Sequence, residues 1–180
     1  IIKYGCQTIS KKDGELTAKI LNNSYLTQGP EVKNFEDSLK KKFAAKYCSV
    51  VSSGTAALHL AVMSLSLAKN SKIVTTPMTF VATSNSIIMN NLIPEFVDIE
   101  TNSYTIDLNK LEQKLKKDKK IKAVIGVDYA GNICDWESLN FLSKKYNIKL
   151  INDNCHAIGT RYKGKIGYAC KFADIVTQSY

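Results

Sequence analysis

The order of segments predicts an α/β fold, a mostly parallel sheet flanked by helices. Three observations carry it. From Cys48 onward, short β-branched runs alternate with stretches whose apolar residues recur at helical spacing. The best of the runs, Ile121 to Val127, is nearly continuous in apolar residues, as a strand buried on both faces is. Small, polar and charged residues follow such runs at once, at the carboxyl ends of strands, where proteins of this class bind ligands.

The elements follow in order. Asp13 to Asn22 reads as a short helix with Leu16, Ile20 and Leu21 on one side. Residues 24–30 form a loop broken by Gly29-Pro30. Glu31 to Lys46 is a second helix, with Val32, Phe35, Leu39 and Phe43 near helical spacing. Cys48 to Ser52 reads as a short strand, followed by an Ala/Leu-rich helix after Gly54. The next strand is Ile73 to Pro77, then a helix over 80–90, then a strand from Ile93 to Ile99. Asp107 caps a helix carrying Leu108, Leu111 and Leu115. Strand 121–128 ends at a loop, Tyr129 to Asn132, and Asp135 caps a helix through Tyr146. Strand 148–153 ends at Asp153. Residues 162–167 look like a turn between short strands, and Asp174 to Ser179 is the last strand. Right-handed crossovers are expected between successive parallel strands. No internal repeat or low-complexity linker interrupts the order.

Composition narrows the function. The chain has 180 residues, 44% hydrophobic, an ordinary globular content. Its net charge of +9 raises nucleic acid as a partner. Yet all but one (Arg161) of its 25 basic residues are Lys, clustered on solvated helix faces without interleaved aromatics, so no nucleic acid is expected. No apolar run is long enough to span a bilayer, so no membrane partner is expected either. Cys6, Cys48, Cys134, Cys155 and Cys170 are widely spaced, with no Cys-x-x-Cys pair. That pattern argues against a metal site or a disulfide framework and favours a reducing cytoplasm. The start, Ile1 to Gly5, has neither a secretory pattern nor an initiating Met, and the chain is expected to be a piece of a longer protein.

Four features fall at strand carboxyl ends: Gly54-Thr55-Ala56, Phe80, Asp153 with His156, and Ser179. A Gly turn into a helix start, with Ser53 and Thr55 hydroxyls beside free backbone N–H groups, is a simple phosphate cradle; an ordinary capped helix has the same pattern. Phe80 is placed to stack on a flat ligand, or to pack as a core aromatic. A carboxylate at a buried strand end, such as Asp153, calls for a cationic partner, and a protonated ring nitrogen is one. Cys155 reads as a small buried apolar residue, and His59 as a packed residue of its helix. The absence of a P-loop or a Gly-x-Gly-x-x-Gly fingerprint disfavours ATP and NAD. Together the four features describe a pocket for a flat, cationic, phosphorylated ring, which is the shape of pyridoxal phosphate.

Six stretches in the same order resemble one family. They are Leu26-Thr27-Gln28-Gly29-Pro30, Ser53-Gly54-Thr55-Ala56-Ala57-Leu58, Pro77-Met78-Thr79-Phe80-Val81-Ala82-Thr83, Asp128-Tyr129-Ala130-Gly131, Asp153-Asn154-Cys155-His156-Ala157-Ile158-Gly159 and Ser179-Tyr180, preceded by Tyr4-Gly5 with Gln7 and Ile9. In these the sequence is similar to the sugar aminotransferases of the DegT type, with the fold-type-I architecture of pyridoxal-phosphate enzymes. The resemblance implies that Gly54, Thr55 and Ala56 hold the phosphate of pyridoxal 5'-phosphate with Ser179, that Phe80 stacks on its ring, that Asp153 binds the pyridine nitrogen and that His156 lies near the ring. It implies Tyr4, Thr27 and Gln28 as neighbours of a nucleotide-sugar substrate. The branch most resembled, that of pseudaminic acid biosynthesis, aminates C4 of a UDP-linked 4-keto-6-deoxy-N-acetylhexosamine with L-glutamate as donor. A homodimer is implied for the full-length protein. Residues 1–30 are expected to form an N-terminal helix and substrate loop, and residues 31–180 the first part of the cofactor-binding large domain.

In this family the Schiff-base lysine lies five residues beyond the position of Ser179, past Tyr180. The chain alone is therefore expected to be inactive. Two other readings stay open: a deoxysugar dehydratase of the same fold, in which His replaces that lysine, and a non-catalytic truncated remnant.

Overall fold

A computed structural model describes residues 7–22 and 25–180. Helices α1 (Lys11–Leu21) and α2 (Pro30–Phe43) precede the alternating part. There follow α3 (Gly54–Ser64), β1 (Lys72–Thr75), α4 (Val81–Met89), β2 (Ile93–Phe96), α5 (Leu108–Lys117), β3 (Ile121–Val127), α6 (Trp136–Tyr146), β4 (Lys149–Asp153), α7 (Ala169–Phe172) and β5 (Ile175–Thr177). The five strands form one parallel sheet in the order β2-β1-β3-β4-β5.

Side-chain alternation along each strand builds a core on both faces. Ile73, Ile125 and Ile151 point to one face, with Val62 of α3 and Ile87 of α4. Their neighbours Val74, Val124 and Leu150 point to the other, with Leu111, Leu115, Trp136 and Leu139 of α5 and α6. Gly126 lets α6 come close: a methyl there would stand 2.8 Å from the fully buried Trp136 ring. Pro94 sits in β2, an edge strand, where a missing N–H breaks no interior ladder. Helix α1 is fixed locally by a capping box between Ser10 and Asp13 and buries none of its residues.

Two expected elements differ. Cys48 to Ser52 forms no strand; Val50 is partly exposed, and its N–H donates to the Glu36 carboxylate at 3.0 Å instead of to a ladder. The segment 162–167 makes one antiparallel bridge, Tyr162 with Lys165, around Lys163 and Gly164 at positive φ. It then coils into a single 3-10 turn, Ile166–Tyr168, that leads into α7 in place of a second strand.

Candidate functional site

The sheet order reverses beside β1: the chain passes outward to β2, then returns across β1 to β3. Ligands bind at such a switch point, outside the strand carboxyl ends. A cavity of about 330 Å³ lies there, within the usual range for a small-molecule site.

One wall is the start of α3. Ser53, in extended conformation, caps it: its hydroxyl accepts the Ala56 N–H at 3.2 Å and its carbonyl that of Ala57 at 3.0 Å. The first two amides of the helix, of Gly54 and Thr55, remain at its open end, where backbone donors and the helix dipole favour an anion. Ser179 lies against them; a methyl on Gly54 would stand 3.1 Å from its Cβ and 3.4 Å from the Cys155 sulfur. Gly54 thus keeps the cradle open.

The opposite wall is Thr79 and Phe80, at the entry to α4. Phe80 is 66% exposed, so its ring is a free flat surface and not core packing. At the end of β4, Asp153 is 5% exposed. Its Oδ2 accepts the Thr83 hydroxyl at 2.7 Å and its Oδ1 the Cys155 N–H at a longer 3.3 Å. Among the described residues no Lys or Arg pairs with it. The Cys155 thiol is pushed well up by burial and then by Asp153, which keeps it neutral and poorly nucleophilic. His156 is exposed at the mouth, its ring 5.8 Å from that of Tyr129 and tilted to it.

The structure therefore gathers Gly54, Thr55, Phe80, Asp153, His156 and Ser179 around one cavity. Ala56 is not among its lining residues, and its N–H is spent on the cap. Thr27 and Gln28 are exposed in the bend before α2 and do not line the cavity; Tyr4 lies outside the described residues.

Sequence reasoning missed two parts. One is Thr79 and Thr83, whose hydroxyls meet at 2.8 Å; their spacing of four at a helix entry was the available signal. The other is Asp128, fully buried at the end of β3. Its carboxylate accepts from the Cys134 N–H, the Trp136 indole, the Asn152 and Asn154 amides and the Tyr168 hydroxyl, at 2.8–3.1 Å. Burial, then Asp128, pushes the Tyr168 phenol well above its ordinary range. No group of three or more metal-ligating side chains occurs among the described residues, and no helix there is long and apolar enough to cross a membrane.

Comparison with known proteins agrees with this geometry. The model of the DegT/DnrJ/EryC1/StrS aminotransferase family matches residues 7–180. A Campylobacter jejuni UDP-4-amino-4,6-dideoxy-N-acetyl-beta-L-altrosamine transaminase is 40% identical over 92% of the chain and 44% of its own length. Helicobacter pylori PseC, an aminotransferase of pseudaminic acid biosynthesis, superposes with a TM-score of 0.83 at 34% identity, over 88% of this chain and 42% of that one. A Streptococcus pneumoniae protein described as a sugar aminotransferase, in its PLP-form, gives 0.88 at 26% identity over 99% and 48%. The chain spans about half the length of the curated relatives it matches. With its parallel sheet, its cavity at the switch point and a family match over nearly its whole length, the chain belongs to the DegT/DnrJ/EryC1/StrS aminotransferase family.

Proposed function

We propose that the intact protein is a pyridoxal 5'-phosphate-dependent aminotransferase. It transfers the amino group of L-glutamate to C4 of a UDP-linked 4-keto-6-deoxy-N-acetylhexosamine. The observation that carries the cofactor reading is Asp153: a buried carboxylate beside the cavity, with no Lys or Arg paired to it among the described residues, facing a site that also has an anion cradle. The sugar rests on the likeness to the Campylobacter transaminases, and the donor on the resemblance of the sequence motifs to that branch.

The residues fit the group. The Gly54 and Thr55 amides, with the hydroxyls of Thr55 and Ser179, would hold the phosphate. Ala56 would contribute through the helix dipole, since its amide is engaged. Phe80 would cover a ring face, and Asp153 would hold the proton at the ring nitrogen. His156 would stand beside the ring at the mouth. When bound, the cofactor supplies an electron sink for charge developing next to the transferred nitrogen. Tyr4, Thr27 and Gln28 would approach the nucleotide sugar, with residues 1–30 as the substrate segment and 31–180 as the start of the large domain. The covalent anchor is assigned to a lysine beyond Tyr180.

A homodimer in the cytoplasm completes the reading. Leu60 and Met63 of α3 and Val81, Ile88 and Met89 of α4 are exposed, on helices that a lone chain would turn polar outward.

The test is to give the intact protein cofactor, L-glutamate and the keto sugar, and to identify products by mass spectrometry. An amino sugar formed with equimolar 2-oxoglutarate is expected; a deoxygenated sugar without new nitrogen would mean a dehydratase. Asp153→Ala is expected to lower turnover by about 100-fold or more, roughly 2.7 kcal/mol in the barrier, with the fold kept. Near wild-type turnover in that variant would overturn the assignment.

A further inference from the structure

Asp153 has a support that the cofactor reading does not explain. Thr83 is fully buried on the first turn of α4 and donates its hydroxyl proton to Asp153 Oδ2 at 2.7 Å. A hydroxyl has one proton. With that proton spent on Asp153, the 2.8 Å contact between Thr79 and Thr83 has Thr79 as donor. The three side chains form a one-way chain from Thr79, on the cavity wall, through Thr83 to the carboxylate. Hydrogen bonds in series polarise one another, and a carboxylate fixed at one oxygen has its other oxygen oriented.

We infer that Thr83 is a positioning residue for the cofactor's ring nitrogen: it acts through Asp153, and Thr79 polarises it from the cavity side. The inference rests on the cofactor reading above. Its physical content is that α4, which carries both Thr83 and the Phe80 entry, sets ring face and ring nitrogen as one unit. Removal of the Thr83 hydroxyl leaves Oδ2 without that donor, and Asp153 is free to turn.

The test uses the intact protein and pyridoxamine 5'-phosphate, which has the ring and phosphate but no aldehyde for covalent linkage. Two quantities are read: the dissociation constant from fluorescence titration, and the pH at which the bound ring nitrogen loses its proton, from the absorption band. Thr83→Val is expected to weaken binding roughly tenfold and to lower that pH by about one unit. Thr83→Ser, which keeps the hydroxyl, restores both. Thr79→Val moves both in the same direction by a smaller step, and decides the matter if Thr83→Val does not fold. Wild-type protein that takes up no pyridoxamine 5'-phosphate overturns the cofactor reading and this inference with it. Wild-type protein that binds while the Thr→Val variants bind as tightly, with the same pH dependence, overturns this inference alone.

Discussion

Two carboxylates end neighbouring strands and have opposite fates. Asp153 pairs in register with Val127, and the next residue, Asp128, donates its N–H to the Asp153 carbonyl at 3.1 Å. Asp128 turns toward α6 and is saturated by five donors, all formally neutral. Asp153 turns toward α3 and α4 and keeps acceptor capacity. The first is spent on the fold; the second has room for a further partner, which the proposed function takes to be a ligand. Asp128→Asn puts an amide N–H₂ among donors and leaves two or more of them unpaired in the core. It is expected to cost roughly 3 kcal/mol or more of stability, by chemical denaturation. Asp153→Ala, which frees one buried hydroxyl, is expected to cost less. The reverse order would show that Asp153 is the structural residue of the two.

At the scale of elements, α3 joins fold and site. Its sequence is mostly apolar, with no strongly polar face, so polar work at its start falls to Ser53, the open amides after it and the Thr55 hydroxyl. Ser53→Ala is expected to cost about 1 kcal/mol and Ser53→Gly a few tenths, read as melting temperature, because the cap hydroxyl alone satisfies the Ala56 N–H. Equal melting temperatures for wild type and Ser53→Ala would mean that water replaces the hydroxyl. Such elements are legible in sequence because period and cap coincide: Ser53, Asp107 and Asp135 each stand where their helix begins. The segment Cys48 to Ser52 reads as a strand because Val50 and Val51 suit one, while pairing depends on a neighbour that the sequence does not name. The site was legible where one residue type signals one chemistry, as at Asp153 and Gly54. It was not at Thr83: the spacing from Thr79 shows that two hydroxyls can meet, but not that a carboxylate on another strand faces them.

Across the whole molecule, the site end of the sheet carries neutral and acidic groups, and a cluster of charges ties β1, β2 and α5 together. Lys72 bridges Glu95 and Asp118 at 2.7 and 2.8 Å, and Lys114 meets Glu95 at 2.7 Å. Lys114, then Lys72, holds the Glu95 carboxyl below its ordinary 4.5; Lys72 holds that of Asp118 below its ordinary 3.8. Asp118, then Glu95, raises Lys72 above 10.5. The unfolded chain has the ordinary values, so in acid it binds more protons than the folded one. The carboxylates' contribution is therefore complete above about pH 4.5 and is lost as pH falls through their lowered folded values. That of Lys72 is complete below its ordinary value of 10.5 and is lost only as pH rises through its raised one. These side chains are 22–30% exposed, so salt screens them in part. Chemical denaturation of wild type and Glu95→Gln, from neutral pH to pH 3 at low and high salt, checks the account. The wild type is expected to lose its advantage over Glu95→Gln below about pH 4.5, and the gap at neutral pH to narrow in high salt. A gap that persists unchanged at pH 3 would mean that Glu95 stabilises the sheet by packing and not by its charge.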